Sequence, residues 1–277
     1  MDDARPLVLT TFTVLADMAR NVAGDHLRVE SITKAGAEIH GYEPTPGDLR
    51  VADQADLILD NGLGLEAWFD KFVERVPAPH AVLSDGVEPV YIRGDAYAGK
   101  ANPHAWMSPL VARTYVDNIA AAFVRLDPAH EPDYRANATA YKAELDAVAD
   151  ELRADLESLP AGQRALVTCE GAFGYLARDF DLREAYLWPV NAEQEGTPRQ
   201  VVETIDFVRE NAVPAVFCES TVSNKAQLRV AEDTGARFGG TLYVDSLSVD
   251  GGPVPTYLDL LEHDARTITD ALLGDIR

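Results

Sequence analysis

At 277 residues, with 47% hydrophobic and 25% charged side chains, the chain has ordinary globular composition and enough apolar mass for one large or two modest cores, which excludes a disordered or fibrous protein. Forty-six acidic against 24 basic residues give a formal charge of −22. That is the wrong sign for a nucleic-acid partner, whose phosphates need a basic surface, and the right one for attracting small cations.

No run approaches the roughly 18–20 apolar residues needed to cross a bilayer. The opening MDDARPLVLTTF has no basic, apolar leader; two acids running into a strand suit a trimmed mature start, and a cytoplasmic start would look similar.

The first part alternates strand-like runs at 7–12, 27–32, 55–61 and 80–85 with helical patterns such as TVLADMARNVAG and GLEAWFDKFVERV. Such alternation predicts a parallel sheet with helices on both faces. From Pro132 the pattern changes. PDYRANATAYKAELDAVADELRADLESLP has no internal Gly or Pro, and Tyr134, Tyr141, Leu145, Val148, Leu152 and Leu156 form a helical stripe. At 1.5 Å per residue such a helix reaches about 40 Å, a rigid strut between two lobes. Beyond it the alternation resumes, with strands at 164–169, 184–188, 214–220 and 239–245 and helices near 172–180, 198–211, 223–234 and 256–274. The expected architecture is α/β: two similar lobes with parallel sheets, 1–128 and 161–277, joined by a linker helix at 129–160. In such sheets ligands bind beyond the carboxyl ends of the strands, so a cleft between the lobes is the expected site.

Six histidines are present. His26, His80, His130 and His263 sit beside acids or prolines and read as surface or packing residues. His40, in the turn-rich EIHGYEPTPGD, and His104, in ANPHAWMSP just before a helix, each fall on a loop at the mouth of the first lobe. In the second lobe Glu170 follows the strand ALVTC, and Asp245 closes a strand in YVDSLS. Either acid has a plainer reading: Glu170 complements a helix N-terminus, and Asp245 caps a turn together with Ser246 and Ser248. Taken together, two neutral imidazoles and two carboxylates facing one crevice would offset the charge of one divalent cation.

The segments HGYEPTPGDL, NPHAWMSP, CEGAFGYLARDF, LWPVNAEQEGTP, FCESTVSNK and LYVDSLS…GPVPTYLDLL occur in one order across most of the chain. Each is weak alone; in register they make the chain resemble the solute-binding proteins of bacterial metal-uptake ABC transporters (cluster A-I), most closely the manganese branch. The resemblance implies two lobes on one long helix, a metal buried between them, and His40, His104, Glu170 and Asp245 as its ligands. It also implies an extracytoplasmic setting, periplasmic or lipid-anchored, and delivery of the ion to a membrane permease. Zinc-type members usually place a histidine where this chain has Glu170, and often carry a His-rich loop where this chain reads GDAYAGKANPH. Exchanging imidazole for carboxylate hardens the site and suits Mn2+, with Fe2+ and Zn2+ as alternatives because intrinsic affinity does not exclude them.

Ligand histidines usually donate their second ring N–H to an acceptor, and Glu43, Asn191, Glu195 and Glu219 are candidates for such supporting roles, although Glu43 reads at least as well as an exposed loop acid. If the second sheet is ordered 2-1-3, as in flavodoxin-like sheets, Cys169 and Cys218 lie on adjacent strands about 4.8 Å apart. A disulfide there fits an oxidising compartment; two buried thiols are the alternative.

The reading is therefore a monomeric binding protein with no catalytic residues. The competing class, a mononuclear metalloenzyme, needs an open coordination position, which four protein ligands crowd. The chain also lacks HExxH, GxSxG and phosphate-loop motifs.

Overall fold

The computed structural model describes residues 4–66, 68–69, 76–93, 97–190 and 196–274. The supporting-role candidates Asn191 and Glu195 lie outside these residues, as does much of the helix expected over GLEAWFDKFVERV.

Two α/β lobes are present. The first is built on β1 (Leu7–Thr10), β2 (Arg28–Ser31), β3 (Leu57–Asp60) and β4 (His80–Val82), all parallel, in the order β2-β1-β3-β4. This is the order of a doubly wound sheet. β1 and β3 are buried along their whole length, which explains why they read as unbroken apolar runs rather than alternating ones. Helix α1 (Thr13–Ala23) follows β1, and α2 (Pro46–Ala52) is a short helix that begins inside the segment read as a turn-rich loop. Thr45 and Asp48 close a reciprocal capping box on α2, with Pro46 at its first position; together they outweigh the helix-breaking content of EPTPGD.

Helix α3 (Pro109–Leu126) leads into the long α4 (Glu131–Glu157). The six large apolar residues picked out along α4 are all buried, with Leu145 fully so. That stripe packs against α1 and α3 of the first lobe and against the last helix of the second, α8 (Tyr257–Leu273). One continuous hydrophobic core therefore runs from Val8 in β1 to Leu272 in α8, and the strut is its spine.

The second lobe holds β5 (Ala165–Glu170), α5 (Gly174–Asp179), β6 (Arg183–Trp188), α6 (Pro198–Glu210), β7 (Ala215–Glu219), α7 (Lys225–Thr234) and β8 (Arg237–Leu242). β5 pairs with β6 and β7 with β8, both in parallel. β5 and β7 lie side by side, as the order 2-1-3 requires, but no ladder joins them among the described residues. Side chains fill that seam. The Gln227 amide donates to the Val167 carbonyl (3.0 Å), Glu219 accepts from the Glu170 N–H (3.1 Å), and Cys169 and Cys218 are joined by a disulfide with Cα atoms 4.8 Å apart.

One boundary differs from expectation in a way that matters. The last strand stops at Leu242, three residues before Asp245. At Tyr243 the backbone N–H is taken by the buried carboxylate of Asp264 on α8 (2.9 Å), and the Val244 carbonyl accepts from the Trp106 indole (3.1 Å). With these backbone groups drawn to α8 and to the first lobe, the strand turns away and carries Asp245 into the cleft.

Leu145→Ala removes a fully buried side chain from the strut and should cost about 2–5 kcal/mol. Because the core is shared, urea unfolding followed by circular dichroism should show one transition moved to lower urea. Two separated transitions would contradict the shared core.

Candidate metal centre

The four residues singled out in the sequence come together. His40 Nε2 lies 3.1 Å from His104 Nε2 and 3.3 Å from Glu170 Oε1, and His104 Nε2 lies 3.6 Å from the same oxygen. Asp245 Oδ1 is 3.9 Å from both imidazole nitrogens. Ligand atoms about 2.1 Å from an ion stand about 3.4 Å apart around a tetrahedron, so this spacing suits one small cation. The side chains of His104, Glu170 and Asp245 are fully buried and that of His40 is 5% exposed, which makes His40 the member of the cluster nearest to solvent. Asp245 Oδ1 has no hydrogen-bond partner among the described residues. An acceptor buried in that state is costly, and a cation would relieve it.

Local chemistry sets each position. Glu38 chelates the loop from within, its two carboxylate oxygens accepting from the His40 and Gly41 N–H groups at 2.7 and 2.9 Å. The Trp68 indole pins the Ile39 carbonyl (3.1 Å). His104 enters a short 3-10 turn, Ala105–Met107, its ring tilted against that of Trp106 with centroids 5.3 Å apart. Ser246 accepts from the Gly36 N–H (2.7 Å), and Ser248 accepts from the Val254 N–H (3.0 Å). Ser246 thus ties the segment after Asp245 to the first lobe, and Ser248 closes the loop to Val254.

The charges are strongly coupled. Burial disfavours a charged His40, but the Glu170 carboxylate beside it, then Asp245 and Glu38, override this and raise it to about 9. Burial pushes His104 down to about 3, with Glu170 opposing and His40 assisting. Burial and the neighbouring Glu170 charge raise Asp245 to about 7, with His40 opposing. In the metal-free protein the cluster therefore holds a proton on His40 at neutral pH, and a metal must displace it.

Among the supporting candidates, Glu219 is buried against the Glu170 backbone, and burial with the Glu170 charge raises its carboxyl well above the usual range. Glu43 is exposed on its loop, in line with its plainer reading. The sequence reading missed Glu38, Asn102, whose Oδ1 faces His104 Nδ1 (2.9 Å), and Thr221, which donates to Asp245 Oδ2 (3.5 Å). Asn102 had a visible signal in Asn-Pro-His; Glu38 and Thr221 had none beyond being polar. The other four histidines are engaged elsewhere: His26 stacks on His130, His80 meets Asp60, and His263 meets the Thr241 carbonyl.

The family described as zinc-uptake complex component A, periplasmic (ZnuA), matches residues 8–271. The chain belongs to this family. It is a metal-binding, periplasmic-type substrate-binding protein of an ABC metal-uptake system, a class that transports rather than catalyses. Its relatives include the iron-binding protein YfeA of Yersinia pestis, 54% identical over 94% of this chain and 84% of that protein. The manganese ABC transporter substrate-binding lipoprotein PsaA of Streptococcus pneumoniae is 34% identical over 96% and 88%. Among solved structures, the manganese-bound periplasmic metal-binding protein of Candidatus Liberibacter asiaticus superposes with a TM-score of 0.91 at 36% identity, covering 97% of this chain and all of that one. The ZnuA family's extracytoplasmic setting agrees with the disulfide, and among the described residues no helix is long and apolar enough to cross a membrane.

Alkylation of unreduced, unfolded protein followed by mass spectrometry should label neither cysteine, and both should be labelled after reduction. Two labelled cysteines without reductant would remove the bridge from the seam.

Proposed function

We propose that the chain captures one divalent transition metal outside the cytoplasmic membrane, holds it through His40, His104, Glu170 and Asp245, and passes it to the permease of an ABC importer. The observation carrying this reading is the convergence of two imidazole nitrogens and two carboxylates, ligating atoms all within 4.8 Å of one another, at the buried cleft between the lobes. Two carboxylates cancel the charge of the ion, and neutral imidazoles complete the set without adding any.

The cargo we assign is Mn2+. Two oxygen donors make the site harder than one richer in imidazole, which suits manganese better than zinc. A specific observation favours Fe2+ as a second reading: the 54% identity to a protein named as iron-binding. The lobe boundaries proposed with this function remain 1–128 and 161–277 about a linker at 129–160. With the strut bound to both lobes, release depends on local movement of the His40 loop, the ligand-bearing segment nearest the surface.

Glu170→Ala should lower Mn2+ affinity at least 100-fold in calorimetric titration while the fold persists by circular dichroism; full affinity in that variant would sink the four-ligand arrangement. Apo protein equilibrated with manganese, iron(II) and zinc at buffered free-metal levels, then analysed for metal content, should retain manganese at the free concentrations where cells hold it. Preferential retention of iron(II) would move the assignment to the second reading.

The pH dependence follows from His40. A raised value means the metal-free site is protonated at pH 7, so protons compete with metal up to about pH 9. Affinity should climb by up to about tenfold per pH unit from about pH 7 toward 9, and more steeply below 7 where Asp245 also takes up a proton, instead of levelling above the ordinary imidazole value of 6.5. Titrations in buffers of different ionisation enthalpy should show close to one proton released per ion near pH 8; no release would contradict the protonated cluster.

A further inference from the structure

Asn102 is 4% exposed and lies where the two lobes meet, and its side chain is bonded on both sides. Its Oδ1 accepts from the His104 backbone N–H (3.0 Å) and faces His104 Nδ1 (2.9 Å). Its Nδ2 donates to the Gly171 carbonyl (2.6 Å), and its own carbonyl accepts from the Tyr175 hydroxyl (2.8 Å).

Two of these partners fix the amide without ambiguity. A backbone N–H can only donate and a backbone carbonyl can only accept, so the oxygen must point to His104 and the nitrogen to Gly171. His104 Nδ1 therefore faces an oxygen and must carry the ring proton. That leaves the lone pair on Nε2, the atom aimed at His40, Glu170 and Asp245. One neutral side chain thus selects the tautomer of a first-lobe ligand and, in the same act, grips the residue directly after a second-lobe ligand. Glu219 holds the Glu170 N–H and Asn102 holds the next carbonyl, so the backbone around Glu170 is clamped from both ends.

The requirement for one donor and one acceptor at this reach is met by asparagine. Aspartate keeps the acceptor for His104 but sets an oxygen against the Gly171 carbonyl; alanine loses both bonds.

We propose that Asn102 is a positioning residue for the bound ion: it fixes the His104 tautomer and ties the ligand pair of one lobe to that of the other, so that breaking the tie speeds metal release. This rests on the ligand assignment above.

Two variants separate the two halves of the role. In metal-free N102D, 15N chemical shifts of the imidazoles should still report His104 as the Nδ1–H tautomer, while Mn2+ release into excess chelator quickens about tenfold, the lower end of what loss of an outer ligand partner costs. In metal-free N102A, read in an H40A background because a protonated His40 would itself donate to His104 Nε2 (3.1 Å), the tautomer should become mixed; release from N102A itself should be at least as fast. A single Nδ1–H tautomer for N102A in that background, or release from N102D at or below the wild-type rate, would overturn the proposal. An H104A protein that holds manganese like the wild type would instead overturn the ligand assignment, and the tautomer measurement, made without metal, stands apart from that failure.

Discussion

Four ionisable side chains buried within 4.8 Å of one another are the constraint on which this molecule depends. In an apolar interior, unpaired charge costs several kcal/mol per group, and here two acids and two bases are held together away from water. The metal-free cluster answers by sharing protons, keeping one on His40 and expelling it from His104. With the proposed ligand set a divalent ion would answer better, because it would satisfy both carboxylates and both imidazole lone pairs at once. Affinity is in this sense prepared by the fold, which assembles the donors at a cost that the cargo repays.

The rest of the structure reads as the means of sustaining that cost. The largest core cluster spans both lobes along the strut, beside a smaller cluster within each lobe, so the halves of the proposed ligand set are not carried on independent domains. Hydrogen bonds join the two lobes: Trp106 to Val244, Leu247 to Thr13, Gly36 to Ser246 and Tyr257 to Asp17. In the second lobe the seam between β5 and β7 is closed by a disulfide and two side-chain bonds next to Glu170. What remains less deeply set is the His40 loop, held by Glu38 and Trp68 rather than by a sheet. Under the proposed function, capture and release would take place at this one loop on a rigid frame.

Much of this was legible in the sequence, for physical reasons. Buried parallel strands read as apolar runs, and the α4 stripe has the period of a helix packed on one face, so lobes and strut were visible. Singly, each of the four cluster residues had a plainer reading; they stood out because together they would offset one divalent charge and because six segments in register made the chain resemble a metal-binding family. What stayed hidden depends on contacts made across the fold. The strand end at Leu242 is set by Asp264, 22 residues away in sequence on α8, and by Trp106 from the other lobe. Asn102 gains its meaning only when Gly171 comes within reach. Glu38 works through backbone N–H groups two and three residues on, a local geometry that composition does not reveal. The missing ladder between β5 and β7 had no sequence signal, because Gln227 and Glu219 look like ordinary polar residues until the strands are side by side.

The most direct test of the central claim is the anomalous diffraction signal from crystals of the manganese-loaded protein. The account predicts one strong peak in the cleft, about 2.0–2.3 Å from His40 Nε2, His104 Nε2 and carboxylate oxygens of Glu170 and Asp245. A peak lying elsewhere, or one that leaves any of the four out of reach, would contradict it.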